Sequence, residues 1–262
     1  MTQWTFTLLG CGNSAGTPTI GNYWGSCDPN EPRNNRTRAA AVIRSEATTL
    51  LIDAGPDLRE QANREGIVDT DAVLFTHSHS DHIAGLEELR TFRIRHKRLV
   101  PIYGDEITIS ELRQRYDYLF FESGGGIYPE VLAPNIIRPE QMNTEMTIGG
   151  ISFIPFVQDH GTCKTLGYRF RDLAYSTDMV DLDQQALESL SGVKTWIVDA
   201  AGYKMANNLV HATLKKVYEL NEIVQAPKVF ITHMPCFMDY QTLKHELPDG
   251  YEPAYDGLRI EI

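Results

Sequence analysis

Thr76-His77-Ser78-His79-Ser80-Asp81-His82 sets three histidines and a carboxylate within six consecutive residues, 77 to 82, in a chain of 262 residues that holds eight histidines. Neutral imidazole and carboxylate are the usual protein ligands of Zn²⁺, Fe²⁺ and Mn²⁺. The apolar run Asp71-Ala-Val-Leu-Phe75 just before it reads as a strand. In extended backbone, residues two apart share a side, so His77 and His79 can grip one ion together. Asp81 and His82 fall at the turn into the next helix and aim at a second position beside the first. The stretch reads as a loop for two ions; the plain alternative is a polar strand-to-helix turn with incidental histidines.

Bulk properties narrow the partners. The length suits one large α/β domain over residues 1–262. No apolar run approaches the roughly 20 residues that span a bilayer. The N-terminus lacks a basic segment and alternates like a strand rather than a signal peptide. Four cysteines without a C-x-x-C pair suggest a reduced, cytoplasmic protein. A net charge of -11 argues against a general polyanion binder, so a nucleic-acid substrate is disfavoured and a small one favoured.

Along the chain, Trp4, Phe6 and Leu8 alternate with Thr5 and Thr7 as in a half-buried strand. Gly10 to Gly16 breaks it, as a phosphate-cradling loop or a plain turn. A long Pro/Gly/Asn-rich loop from Thr17 to Arg38 carries Arg33, Arg36 and Arg38, which can grip a substrate phosphate or merely be solvated. Strands over 39–44 and 49–52 lead to Asp53, at the mouth of a sheet or capping a helix. Helices are expected over 56–66, 83–95 and 109–121. The basic run from Arg90 to Arg98 reads as a solvated helix end, with substrate steering as the alternative. Tyr116, Tyr118, Phe120, Phe121 and Tyr128 can wall a pocket or pack in a core, and Ser123-Gly-Gly-Gly126 reads as a break.

The second half repeats one motif. Patterning of β type over 146–156 leads to His160; a hairpin-like pair, 166–170 and 173–178, ends in Asp178; the strand 195–198 ends at Asp199; a helix opens at His211; and the strand from Lys228 ends at His233. Strand ends along one sheet edge converge, so these residues are expected at one site.

The pattern His77-x-His79-x-Asp81-His82 resembles the signature of the metallo-β-lactamase fold superfamily. That resemblance implies an α/β fold, an αββα sandwich of two mixed sheets packed face to face with helices outside. It implies two divalent ions, Zn or Mn: His77, His79 and His160 on the first, Asp81, His82 and His233 on the second, and Asp178 shared. Asp53 would support the metal loop without binding metal. His211, preceded by Asp199 after a strand, resembles the phosphodiesterase branch, which includes ribonuclease Z and the phosphoribosyl cyclic phosphodiesterases. Gly16-Thr17-Pro18, Cys27 and the tail Ala254-Tyr-Asp-Gly257 bring it nearer the second group.

The implied activity is metal-dependent hydrolysis of a small phosphodiester such as a phosphoribosyl 1,2-cyclic phosphate. Alternatives are an RNA phosphodiesterase of the ribonuclease Z type and a thioesterase or lactonase of the same fold. In the implied roles Asp81 orients the nucleophile as well as binding metal, His211 protonates the leaving oxygen, and Asp199 orients His211. No membrane partner is expected, and a homodimer is an open option. Some phosphoribosyl cyclic phosphodiesterases also carry a structural zinc on three cysteines and a histidine. Here only Cys27 and Cys236 match, short of four ligands. Cys11 and Cys163 read as buried small residues.

Overall fold

The computed structural model describes residues 3–122 and 127–262, so the Ser123-Gly-Gly-Gly126 run lies outside the described residues. Its first half runs β1 (Thr5–Gly10), β2 (Ala40–Arg44), β3 (Thr49–Ile52), α1 (Leu58–Arg64), β4 (Ala72–Leu74), α2 (Ser80–Ile83), α3 (Leu89–His96), β5 (Val100–Gly104), α4 (Glu106–Arg115) and β6 (Leu132–Ile136). The second half follows with β7 (Met146–Ile148), β8 (Ile151–Asp159), β9 (Lys164–Phe170), β10 (Leu173–Ser176), α5 (Gln184–Ser189), β11 (Thr195–Asp199), α6 (Leu214–Val224), β12 (Lys228–Thr232), α7 (Tyr240–Glu246), β13 (Tyr251–Pro253) and β14 (Leu258–Glu261).

Two mixed seven-stranded sheets result, ordered β14-β1-β2-β3-β4-β5-β6 and β13-β12-β11-β10-β9-β8-β7. In the first, β1, β2 and β3 pair antiparallel and β3 to β6 parallel. In the second, β7 to β10 pair antiparallel and β10 to β13 parallel. Each half therefore has one strand, β3 or β10, where the pairing changes sense. Parallel neighbours bring their C-terminal ends to the same rim, where α/β sheets keep their chemistry.

Alternation along the strands builds both layers. Ala41, Ile43, Leu50, Ile52, Ala72 and Leu74 face the core between the sheets, while Ala40, Val42, Leu51 and Val73 face the helices outside. Phe6 meets Phe170 and Tyr175 across the inter-sheet core, ring centroids 6.2 and 5.8 Å apart. The Tyr168 hydroxyl donates to the Phe75 carbonyl (2.7 Å), which ties β9 to the strand before the metal loop. β1 departs from the half-buried expectation: Thr7 is buried as well, because helices cover that sheet's second face.

Three helix expectations shift. The helix expected over 83–95 is broken into α2, a 3₁₀ turn (Leu86–Glu88) and α3. Gly85 is the reason: its N–H bonds the Ala54 carbonyl (2.8 Å), and a Cβ there would lie 2.0 Å from the Gly55 oxygen. Gly55 in turn presses on the Asp81 carbonyl, so the turn after β3 and the metal loop pack backbone to backbone. The helix expected over 109–121 lies earlier, as α4 plus a 3₁₀ turn (Asp117–Leu119). α6 begins at Leu214 rather than at His211, because Thr213 caps it by accepting the Lys216 N–H (3.2 Å).

The long loop 17–38 is held by Arg36, a candidate phosphate ligand. Its side chain is buried, and its guanidinium donates to the carbonyls of Pro235 (3.3 Å) and Met238 (2.6 Å) and to Asn34 Oδ1 (2.9 Å). It clamps the loop to the segment after His233 and presents no free fork to a substrate, a correction to the expectation. Arg36→Met would leave the Met238 carbonyl without a donor, while the Pro235 carbonyl keeps the Met238 N–H and Asn34 Oδ1 the Tyr240 N–H. At roughly 1–3 kcal/mol for that orphaned group, the variant should lose about 2 kcal/mol of unfolding free energy in urea titration. A loss under about 1 kcal/mol would show that the loop is held by other contacts.

Candidate metal centre

Apart from His211, which lies in the segment before α6, the carboxylates and imidazoles of the candidate centre lie at or just past the C-terminal end of a strand. Asp53 follows β3, residues 77–82 follow β4, His160 follows β8, Asp178 follows β10, Asp199 closes β11 and His233 follows β12. Three of them turn sharply there: Asp53, Asp178 and His233 have φ of 64, 51 and 57°. Left-handed backbone is costly for residues other than glycine and gathers at functional sites, and here it swings each side chain out of its strand direction into the rim.

The result is two adjoining groups. His77, His79 and His160 form one and Asp81, His82, Asp178 and His233 the other, with candidate ligand atoms in each within 4.8 Å of one another. Asp178 stands between them: Oδ2 lies 3.0 Å from His82 Nε2 and 3.2 Å from His233 Nε2, while Oδ1 lies 3.7 Å from His160 Nε2. Asp81 Oδ2 is 3.3 Å from His82 Nε2 and 3.6 Å from His233 Nε2.

Hydrogen bonds decide which ring nitrogens point inward. Asp53, wholly buried, accepts from the Thr76 N–H and hydroxyl (both 2.8 Å) and from His82 Nδ1 (2.7 Å). His77 Nδ1 meets the Thr76 hydroxyl (3.0 Å) and His160 Nδ1 donates to the Val210 carbonyl (2.6 Å). Each bond leaves Nε2 free to face the centre. Below the loop, α4 grips Ser78: its hydroxyl donates to Glu111 Oε2 (2.6 Å) and Arg115 donates to its carbonyl (2.7 Å).

The donor set fits divalent ions. Nε2 of His77 and His82 and both ring nitrogens of His233 are buried and make no hydrogen bond, a cost that a bound cation removes. Spacings of 3.0 to 3.6 Å in the second group match the roughly 3.3 Å edge of a tetrahedral shell with about 2.0–2.1 Å bonds. Burial by itself would raise Asp178, but the His233 and His82 imidazoles hold it well below the carboxylate range. Burial would likewise lower His82, yet Asp178, Asp53 and Asp81 hold it well above the usual imidazole range. Three carboxylates around one imidazole attract positive charge, as a proton or as a metal ion in its place.

His211 sits beside both groups, its ring centroid 5.1 Å from His160 and 4.9 Å from His233. Its Nδ1 donates to Asp199 Oδ2 (2.7 Å), and Asp199 is wholly buried with its oxygens also accepting the N–H groups of Met179 and Ala201. Burial works against a charged His211, but the Asp199 carboxylate outweighs it and pushes the imidazole up to about 9.

The arginines stand apart. Arg36 is the buried clamp described above. Arg33 lies over the Tyr240 and Tyr255 rings (4.8 and 5.7 Å to the centroids), and Arg38 pairs with Asp57 (3.2 Å). Arg36 also lies against Cys27 (3.9 Å), and among the described residues no cysteine joins a group of three metal-type ligands. The basic run closes on acids and carbonyls: Arg98 pairs with Asp69 (2.6 Å) and His96 meets Asp69 and the Val68 carbonyl, at the opposite end of β4 from the metal loop. Sequence reasoning missed Thr76, the Glu111–Arg115 grip and the Val210 carbonyl. Only the i,i+4 spacing of Glu111 and Arg115 left a trace, and it reads as an ordinary surface pair.

Comparison with known proteins agrees with this fold. A family model described as "Beta-lactamase superfamily domain" matches residues 48–234. The crystal structure of a diphosphatase from the PhnP family is 31% identical, with a TM-score of 0.86 over 99% of this chain and 97% of that one. Human short-form tRNase Z shares the fold at 16% identity, with a TM-score of 0.68 over 98% of both chains. An octanoyltransferase of Porphyromonas gingivalis is 29% identical over 97% of this chain and 51% of its own length. A ribonuclease Z of Methanopyrus kandleri is 29% identical over 53% of this chain and 45% of its own length. The chain thus spans about half the length of these two curated relatives. No helix among the described residues is long and apolar enough to cross a membrane. The chain belongs to the β-lactamase superfamily, with the metallo-β-lactamase fold, and within it to the PhnP family.

Proposed function

We propose that this hydrolase cleaves a small phosphodiester, with cyclic ribose phosphates as the favoured class, at a centre of two divalent ions, and that residues 1–262 work as one domain. The observation that carries the reading is His211, tied through Nδ1 to buried Asp199 and set against both ligand groups. Hydrolysis of a thioester or lactone at such a centre has less need of an imidazole there. Cleaving a phosphodiester calls for a proton on the departing alkoxide, which a histidine can deliver.

His77, His79 and His160 would hold one ion, Asp81, His82 and His233 the other, and Asp178 both. Nitrogen and carboxylate donors of this kind suit zinc and manganese. Such a pair, when bound, polarises a phosphate oxygen and lowers the pKa of a water. Around it the chain's own groups divide the work. Asp53 locks the His82 tautomer, and Asp81 orients the attacking water. Asp199 holds Nδ1 of His211 so that Nε2 faces the substrate. Water adds to phosphorus and gives up one proton to solvent, the phosphorus–oxygen bond to the leaving group breaks, and His211 gives that oxygen its proton and is reprotonated from solvent. A linear diester yields a monoester and an alcohol, and a cyclic one a single ring-opened monoester.

A small substrate is favoured over RNA because the net charge is -11 and the end of the basic run, His96 and Arg98, pairs with Asp69 at the other end of β4. The relatives point the same way in part: one is a diphosphatase, others are ribonucleases Z.

His211→Ala should lower hydrolysis of bis-p-nitrophenyl phosphate and of a ribose cyclic phosphate by roughly 10²- to 10⁴-fold. Its zinc content by elemental analysis should match the parent, and near-normal turnover would remove His211 from the reaction. Asp53→Asn keeps a residue type that tolerates φ near 60° but loses the carboxylate. It should weaken metal affinity about 10- to 100-fold in chelator competition, and unchanged affinity would mean Asp53 does not orient the loop.

A further inference from the structure

Beside the metal centre, between the ends of the two sheets, runs an apolar groove of about 680 Å³ that the reaction as described leaves unused. Ile107, Ile136, Pro139, Met142, Val157 and Leu166 line it. Ile107 and Ile136 are 68% and 41% exposed, a state that costs hydration free energy unless something covers them.

Both walls are built on the segments that shape the centre. Leu166 donates its N–H to the carbonyl of Thr76, the residue before His77 (2.8 Å), and its strand begins four residues after His160. Opposite, Ile107 lies in the first turn of α4, the helix whose Glu111 and Arg115 grip Ser78 between His77 and His79. The groove therefore shares its supporting segments with the ligand groups without being lined by any of them, so what fills it must extend away from a group held at the centre. The volume falls within the range of ligand pockets, roughly 300–1,000 Å³.

The lining says which part of a substrate it fits. Among the described residues it contains no aromatic ring, whereas nucleobases are held largely by stacking on aromatic side chains. Charged groups, Asp105, Glu106, Arg138 and Lys164, complete the lining around that aliphatic surface. We propose that the groove binds an aliphatic chain, alkyl or acyl, carried by the phosphate-bearing substrate. The inference rests on the phosphodiester reading above only for what is attached to the chain.

The test separates the two. Affinity of zinc-loaded protein for methyl-, butyl- and octylphosphonate, below their aggregation limits, is measured by calorimetry and needs no turnover. Hydrolysis of bis-p-nitrophenyl phosphate is followed independently. Affinity should rise about two- to fourfold per added methylene, from roughly 0.8 kcal/mol per fully buried CH₂. The rise should vanish in Ile107→Glu, an exposed position where the change leaves folding intact. Equal affinity along the series, or the same rise in Ile107→Glu, overturns the groove whatever the diester assay shows. A rise without hydrolysis sustains the groove and refutes the diester reading.

Discussion

Burying carboxylates at one rim is the constraint on which the centre depends. Asp53 and Asp178 are almost fully excluded from water, and Asp81 lies beside them. Negative charge in a low-dielectric setting is expensive unless cations or donors answer it. The chain answers with His82, in contact with all three, with His233, whose Nε2 approaches Asp178 and Asp81, and with a His77 Nε2 that makes no hydrogen bond. What remains is a demand for positive charge of fixed shape, which is how a protein specifies a metal site before any metal arrives.

The two halves share that demand symmetrically. β3 and β10 are the strands at which antiparallel pairing gives way to parallel, and each is followed at once by a buried aspartate with positive φ, Asp53 and Asp178. One holds a tautomer and the other stands between the ligand groups. At a switch in pairing the neighbouring connections diverge, which opens a crevice at the carboxyl ends. Left-handed turns of about 1–2 kcal/mol each are sustained there by hydrogen bonds such as those from Thr76 and Thr177.

Around the crevice the connecting segments divide into those that hold and those that leave room. The loop 17–38 is held by Arg36, and the segment before α6 by Asn208, which accepts the N–H groups of Val210 and His211. The surface between α4, the end of β6 and β9 is left open and aliphatic. Rigid positioning of the reactive groups and an unfilled space beside them are what a hydrolase needs to grip one part of a substrate while discriminating on another.

The sequence by itself determined the strands and the residues that converge, and its resemblance to the metallo-β-lactamase superfamily implied the sandwich. Strand periodicity and strand-end histidines are local signals, and a dense ligand run leaves few other meanings. Its errors were local too. Thr7 and the helix broken at Gly85 were misread because burial from a second layer and a backbone contact with Ala54–Gly55 come from residues distant in the chain. Only the tertiary structure decided that Arg36 is a clamp, that the end of the basic run pairs with Asp69 at the other end of β4, and that Thr76, Val210, Glu111 and Arg115 support the ligands. Each of those facts depends on which partner a side chain meets, and a partner that lies dozens or hundreds of residues away leaves no pattern in the local sequence.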